Sequence, residues 1–472
     1  MTPVPAPAAL PTEVTVVNVG LPLFADAVRA QGRPVEQLDW RIPANGDPQL
    51  LAALTALLGR EAARVDAANA EVFRRLDTGV PFWTAVATAG DVLPGLDGRT
   101  LLHCGPAIEW PDVADPLRRS MRAATVAEGW AADVAEADGL LRSGRVRLEP
   151  ANLHAAVVPM ATALGPSMPV VVVENEAGGT RAYSALNQGP GDVAWFGRET
   201  DAAIARLRFL RDVAGPLLAG AVAQAGPVDV LGLAAQGLAM GDDVHMRTQA
   251  STNLLIRHLL PQLVAADRPA AVEFARFLSA DHLFFLNLAM AAAKSLTLWA
   301  EQVTDSSIVT TMARNGTTFG VGLAGSPTWF LAEAPEIGAA LYNPGLGPDS
   351  GARDIGDSAV LELVGLGGAA AAGSPAVAAF LGGTMADALA VTENMADICH
   401  GPSSRFRLPT LDLRGTPVGV DARLVAKLGV TPKVNTGILH VSDGTGQVGA
   451  GVATAPLRCF TDAVLDLARR LR

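Results

Sequence analysis

The run Leu283-Phe-Phe-Leu-Asn-Leu-Ala-Met-Ala-Ala-Ala-Lys-Ser-Leu-Thr-Leu-Trp-Ala300 is the longest apolar stretch of the chain. It limits what the rest can become. A membrane span needs about 20 largely apolar residues, whereas this run contains Asn287 and Lys294 and is flanked by charge. It reads as a buried core helix of a soluble protein, around which other elements must pack on every side. A chain of 472 residues can bury such a helix without disulfide staples and should hold two to four domains. Half of its residues are hydrophobic, 18% are charged, and 48 glycines and 32 prolines punctuate it. That is the profile of a globular enzyme rather than of a disordered chain.

The net charge of −11 and the 5% aromatic content argue against a nucleic-acid face, which needs a basic stripe and stacking platforms. Cys104, Cys399 and Cys459 are scattered and odd in number, which fits a reducing cytoplasm better than a disulfide framework. The lead Met1-Thr-Pro-Val-Pro-Ala-Pro7 has no basic residue and no apolar core, so it does not read as a signal peptide.

The punctuation predicts an α/β multidomain protein. Glu13–Gly20, the following Leu/Ala-rich helix and Val35–Trp40 form a β-α-β unit, giving a Rossmann-like N-terminal domain over 1–122. Leu50–Arg75 reads as one or two helices and Arg99–Gly105 as a strand. The helices expected at 201–224, 228–240, 245–264, 268–279 and 281–303 make 201–303 an all-helical middle domain. The segments 123–200 and 304–472 form the mixed α+β remainder, with strands at Arg145–Glu149 and Val170–Glu174, a Gly-turned strand at Thr310–Gly320 and a closing helix near 457–471. Val364–Gly383 is Gly/Ala-dense, as close helix packing requires. Neither G-x-G-x-x-G nor G-x-x-x-x-G-K-[ST] occurs, so no nucleotide cofactor is expected.

Chemistry concentrates in Met240-Gly-Asp-Asp-Val-His-Met-Arg-Thr-Gln-Ala250. Two carboxylates, a histidine and an arginine fall within six residues of a charge-poor region. Gly241 permits a positive φ, and Asp242 or Asp243 can cap a helix beginning near Val244 and running through Leu254, Leu255 and Leu259. His245 and Asp243 are the catalytic candidates, because histidine alone has an unperturbed pKa near neutrality. Arg247 adds a fixed positive charge near a helix N-terminus, where anions are already favoured. The plain alternative is a capped helix with an Asp–Arg pair. A hard-metal site on Asp242 and Asp243 is disfavoured by Arg247 and by the lack of H-x-x-x-H, so no metal is expected.

A second cluster, Arg314-Asn315-Gly316-Thr317, sets a guanidinium, an amide and free N–H groups on a turn, suited to a phosphate, a carboxylate or a carbamoyl oxygen. The alternative is an Asn-Gly hairpin turn without a ligand. Glu174, Asn175 and Asn187 are further substrate-binding candidates at polar strand ends. His258 and His282 fall on expected helices as packing residues. His400 beside Cys399 does not make a thiol–imidazole pair, and His154 and His440 stay undecided. No G-x-S-x-G elbow exists.

Four segments, Asn18-Val-Gly-Leu, Gly241-Asp-Asp-Val-His-Met-Arg, Met312-Ala-Arg-Asn-Gly-Thr-Thr-Phe-Gly and Gly437-Ile-Leu-His with Gly446-Gln-Val-Gly-Ala-Gly, together resemble the YlbE/AllG family. The likeness runs from about residue 13 to the C-terminus. It implies a Rossmann-like N-terminal part, a helical insert and a mixed α/β part. It also implies membership of an oxamate carbamoyltransferase, which interconverts oxalurate and phosphate with oxamate and carbamoyl phosphate in allantoin use. FdrA-type (AllF) and AllH subunits are the implied partners in an oligomeric assembly. Members of the family often carry a Lys after the histidine of the last motif, where this chain has Val441-Ser442, so no role is carried over to the His440 region. On that reading Arg247 and Arg314 hold phosphate or the oxamate carboxylate, Asn315 and the Gly316–Thr317 N–H groups hold the carbonyl oxygen, and His245 moves the proton. The readings from other classes are a noncatalytic assembly or ligand-sensing subunit and a metal-dependent amidohydrolase using Asp242, Asp243 and His245.

Overall fold

The computed structural model describes residues 15–38, 42–266, 269–380 and 383–472. The N-terminal lead, Glu13, Val14 and Trp40 of the first two expected strands, Arg268, and Leu381–Gly382 of the Gly/Ala-dense run lie outside the described residues. The protein is mixed α/β, with its strands distributed over six small sheets among the described residues.

The apolar run forms the helix Phe285–Ala300, buried along nearly its whole length. It packs on strands Pro169–Asn175 and Thr180–Ala185 and on helices Ala62–Thr78 and Val230–Ala239. Asn287 and Lys294 are satisfied by this packing. Asn287 donates to Ala185 O at 2.6 Å and accepts from Asn187 at 3.0 Å, and Lys294 pairs with Glu301 at 3.4 Å. No single helix among the described residues is long and apolar enough to cross a membrane. The preceding helix, Pro269–Ala280, meets Phe285–Ala300 at 77°. His282 lies in the turn between them rather than on a helix. Asp281 causes this break by accepting from Leu283 N at 3.0 Å.

The five-stranded sheet beneath this helix runs in the order Val228–Asp229, Pro81–Thr88, Pro169–Asn175, Thr180–Ala185, Ala156–Val157. Its pairs are antiparallel except the last. The β-α-β unit at the N-terminus is present as two parallel strands, Val16–Val19 and Val35–Leu38, with helix Pro22–Arg29 between them. It is two strands wide, since the next strand, Pro81–Thr88, joins the antiparallel sheet instead. One hydrophobic core takes in Leu101, Val171, Leu231, Leu288 and Ile308, so it continues across residues 122, 200 and 303. Within 201–225 the helix carries a π segment, Leu210–Ala214, just before Pro216, whose missing N–H removes one ladder bond.

The C-terminal part builds a second core. Val309–Asn315 and Thr318–Leu323 pair as a hairpin around Gly316, whose φ is +83°. Strands Ala339–Tyr342, Gln447–Thr454 and Lys433–Leu439 form a three-stranded antiparallel sheet in that order. Helix Leu457–Arg470 closes this core with Phe460, Val464 and Leu467. Much of the Gly/Ala-dense run is a 3-10 helix, Gly367–Gly373, followed by the α-helix Pro375–Phe380. The three cysteines are free and buried.

Candidate active site

The helix expected from Val244 begins at Gln249 and runs to Ala265. Val244 itself has φ +61° and Gly241 φ +96°, so the chain between them makes a tight left-handed excursion instead of a helical turn. Asp242, fully buried, reaches forward to the helix start. Its Oδ1 accepts from Ala250 N at 3.1 Å, and its Oδ2 accepts from Ser251 N at 2.8 Å and from Ser251 Oγ at 2.9 Å. It caps the helix from eight residues upstream. Burial pushes its carboxyl up, and the bonds from Ser251 and Ala250 and the nearby Arg247 charge pull it back.

Asp243 shapes the excursion. Its Oδ1 accepts from His245 N at 3.0 Å and from Arg247 N at 2.8 Å, while Oδ2 accepts from Asn435 Nδ2 at 2.7 Å. The Asp243 carbonyl takes Gly367 N at 2.8 Å. Both side-chain oxygens are thereby consumed, and Asp243 is a scaffold of the turn.

His245 is presented by that turn to Glu362. Its Nδ1 lies 2.7 Å from Glu362 Oε1, with the carboxylate fully buried and the imidazole nearly so. Oε1 also accepts from Gly368 N at 3.1 Å, while Oε2 has no partner among the described residues. A Cβ at Gly367 would fall 2.2 Å from Glu362 Oε1 and 2.9 Å from His245 Nδ1, and Gly367 has φ +59°. Only glycine lets the backbone pass so close. With Nδ1 held by a carboxylate, Nε2 is the nitrogen left for chemistry.

His245, Ser358, Thr436, Gln447, Met160 and Trp195 line a cavity of about 30 Å³, room for roughly one or two waters. Met160 and Val244 are non-glycine residues in the left-handed region, at φ +51° and +61°. Such strain concentrates at functional sites, and here one strained residue lines the cavity and the other carries His245. Arg247 is about one-third exposed, its Nε 3.4 Å from Asp242 Oδ1 without hydrogen-bond geometry. Burial, with Arg247 beside it, holds the His282 imidazole below its ordinary range.

The Arg314 cluster sits deeper. Arg314 is fully buried and forks onto Asp354, with Nε–Oδ2 at 2.8 Å and Nη2–Oδ1 at 2.9 Å. Its Nη1 donates to Gly356 O at 2.7 Å and reaches Ser358 Oγ at 3.5 Å. Ser358 therefore joins this guanidinium to the cavity that holds His245. Asn315 donates to Pro106 O and accepts from Thr317 N and Thr318 N, and Gly316 N donates to Asp354 O. These groups, expected to hold a carbonyl oxygen, are engaged in building the turn. Gly316 and Thr317 line a separate cavity of about 640 Å³ that also holds Asp115, Glu333, Glu336 and Asp349 against the one guanidinium of Arg353. Four carboxylates to one cation do not suit a phosphate.

Glu174 is paired with Arg181, and Asn175 accepts from Val80 N at 3.0 Å at the far end of the sheet. Asn187 donates to Leu283 O at 2.8 Å and to Asn287, and so stands behind the cavity, whose lining includes Leu283. His154 bonds Glu149 and Pro94 O, and His440 pairs with Asp443. His400 lies exposed on strand Cys399–Leu408, not on a helix. Asp242, Asp243 and His245 turn to three different sets of partners and do not converge as metal ligands. No group of three such residues among those described does.

Sequence reasoning missed Glu362, Ser358, Thr436, Asn435 and Gln447. One signal was available for Glu362, which is the only charged residue between Asp357 and Asp387.

The family model described as oxamate carbamoyltransferase subunit AllG matches residues 146–358, which contain both the Asp242–Arg247 and Arg314–Thr317 clusters. A protein of Escherichia coli K12 named oxamate carbamoyltransferase subunit AllG is 39% identical over 410 residues, covering 86% of this chain and 98% of that protein. The chain belongs to the AllG family. A second relative from Escherichia coli K12, the uncharacterized protein YahG, is 34% identical over 97% of this chain and 98% of its own length. A crystal structure of a conserved protein of unknown function from Enterococcus faecalis V583 superposes with a TM-score of 0.85. It is 34% identical and covers 87% of this chain and 99% of that one. Glu362 and Asn435 lie beyond the segment matched by the AllG model, so the His245 turn is completed from outside it.

Proposed function

We propose that this chain is a subunit of a carbamoyltransferase of the oxamate/oxalurate type, moving a carbamoyl group between carbamoyl phosphate and a small amide or amine acid. The observation that carries the reading is the buried His245–Glu362 pair, in which Glu362 holds Nδ1 of an imidazole that lines a small, mainly apolar cavity together with Ser358, Thr436 and Gln447. In the direction of oxalurate breakdown, a phosphate oxygen attacks the ureido carbonyl carbon. The C–N bond breaks, and the departing amide nitrogen takes a proton from His245 Nε2. In the reverse direction the same nitrogen of oxamate attacks carbamoyl phosphate, phosphate leaves, and Nε2 accepts the proton. Glu362 stabilises the imidazolium form of the ring in either direction. Arg247, part-exposed and weakly paired, is the cation available for phosphate or the oxamate carboxylate, whereas Arg314 acts through Ser358 rather than on the substrate.

A second reading rests on the cavity volume. About 30 Å³ is smaller than either substrate, which favours a site that opens on, or is completed by, FdrA-type and AllH-type partner subunits. In its limiting form the chain senses ligand and assembles the enzyme while a partner carries out the chemistry. The cytoplasm suits both readings, given three scattered free thiols.

The deciding experiment measures phosphate-dependent turnover of oxalurate by the chain co-purified with its partners. His245→Ala is expected to lower turnover about 100-fold, the usual worth of a general acid or base. If His245→Ala and Arg247→Ala both stay within about twofold of wild type, well short of that loss, the catalytic assignment fails and the assembly role stands.

A further inference from the structure

The strand Lys433–Leu439 divides two cavities. Successive side chains of a strand point to opposite faces. Thr436 faces the small cavity of His245, while Lys433 and Asn435 face a different and much larger cleft of about 540 Å³. The two cavities share no lining residue. The cleft lies between the three-stranded sheet and the helices Pro375–Phe380 and Met385–Ile398, with walls that include Val377, Val391 and Val452. Its volume is that of small-molecule sites, typically about 300–1,000 Å³, which combine apolar walls with a few placed polar groups.

Two polar groups stand on its sheet side. Lys433 is half-buried, and its Nζ donates to Thr454 Oγ1 at 2.7 Å. Among the described residues no carboxylate forms an ion pair with it, and burial alone holds its ammonium below the ordinary lysine range. Asn435 is almost wholly buried. Its Nδ2 is committed to Asp243, while its Oδ1 accepts no side-chain hydrogen bond among the described residues. The carboxylate of Asp387 is already engaged by Thr384 in a capping box. An unpaired ammonium in an apolar cleft is costly to keep dehydrated, and an anion beside it offsets that cost.

We propose that this cleft is a binding site for a small carboxylate with an apolar body, its carboxylate on Lys433 and its hydrocarbon against Val377, Val391 and Val452. The Asn435–Asp243 bond is the route by which occupancy reaches the turn that presents His245, since Asp243 holds the backbone N–H groups of His245 and Arg247. The site is independent of the transfer reaction and requires only the folded chain.

Calorimetric titration of the full-length chain with 3-phenylpropionate, and with its neutral amide, tests this directly. The carboxylate is expected to bind saturably and the amide at least tenfold more weakly. Lys433→Met should weaken the carboxylate about tenfold, roughly 1.4 kcal/mol, and leave the amide unchanged. Val391→Trp, which fills the cleft, should abolish binding of both while circular dichroism shows an intact fold. Equal affinity for acid and amide, indifference to Lys433→Met, or no binding at all would overturn the site. A protein partner covering the cleft would give the last of these outcomes. Backbone amide exchange over 243–248 should slow when 3-phenylpropionate is bound, and unchanged exchange would overturn the coupling.

Discussion

Glu362 stands beside the ring of His245. It is fully buried, one oxygen serves His245 and Gly368, and the other has no partner among the described residues. Glu362→Gln keeps the volume and removes the charge. It is expected to lower kcat by about 100-fold or more, with KM moved far less, because the effect falls on the proton-transfer step. Steady-state kinetics of the assembled enzyme check this, and imidazole nitrogen shifts of His245 should report an altered tautomer in the same variant. A second buried carboxylate predicts a pH effect. Burial pushes the Asp281 carboxyl up to about 7 from its ordinary value of 3.8. The folded state keeps this proton where the unfolded chain has lost it. The contribution is therefore complete below pH 3.8 and is lost as pH rises to about 7. Relative to wild type, Asp281→Asn should gain stability over that window, with a difference approaching about 1.4 kcal/mol per pH unit. Urea denaturation between pH 5 and 8 reads it, and parallel curves for the two proteins would show the group is not buried as described.

Among the elements, the legible ones were those whose cause is local. The helix Phe285–Ala300 follows from a long, mostly apolar run, and the hairpin around Gly316 follows from Asn-Gly between β-branched and apolar residues. The helix after the Asp pair was misplaced because its start depends on a bond from Asp242 to residues eight and nine positions away. A cap normally lies within three residues of the N–H it serves, and Val244 is β-branched, a poor guess for left-handed backbone. Removing this long-range cap with Asp242→Ala is expected to cost about 1–3 kcal/mol, the penalty for orphaning buried N–H groups, and to loosen Gln249–Ala265 first. Amide exchange along that helix locates the loss.

For the whole molecule, what could not be read was assembly. Glu362 meets His245 across 117 residues and Asn435 meets Asp243 across 192, and no periodicity announces such meetings. The core is equally nonlocal, since Leu288 packs in one cluster with residues from Val72 to Leu439. Leu288→Ala should therefore destabilise the main unfolding transition as a unit, by about 2–5 kcal/mol. Separate melting of 201–303 in calorimetry would show that the helical part stands alone.

The bond from Asn435 to Asp243 also sets a timetable. A ribosome finishes the turn carrying His245 long before it reaches strand Lys433–Leu439, at about 5–20 residues per second. Until Glu362 is made the histidine is held by its own loop alone, and Asp243 waits longer still for the strand that steadies it. The turn gains this support only once a strand 192 residues downstream has been made, so a nascent chain holds His245 less firmly than the folded protein does.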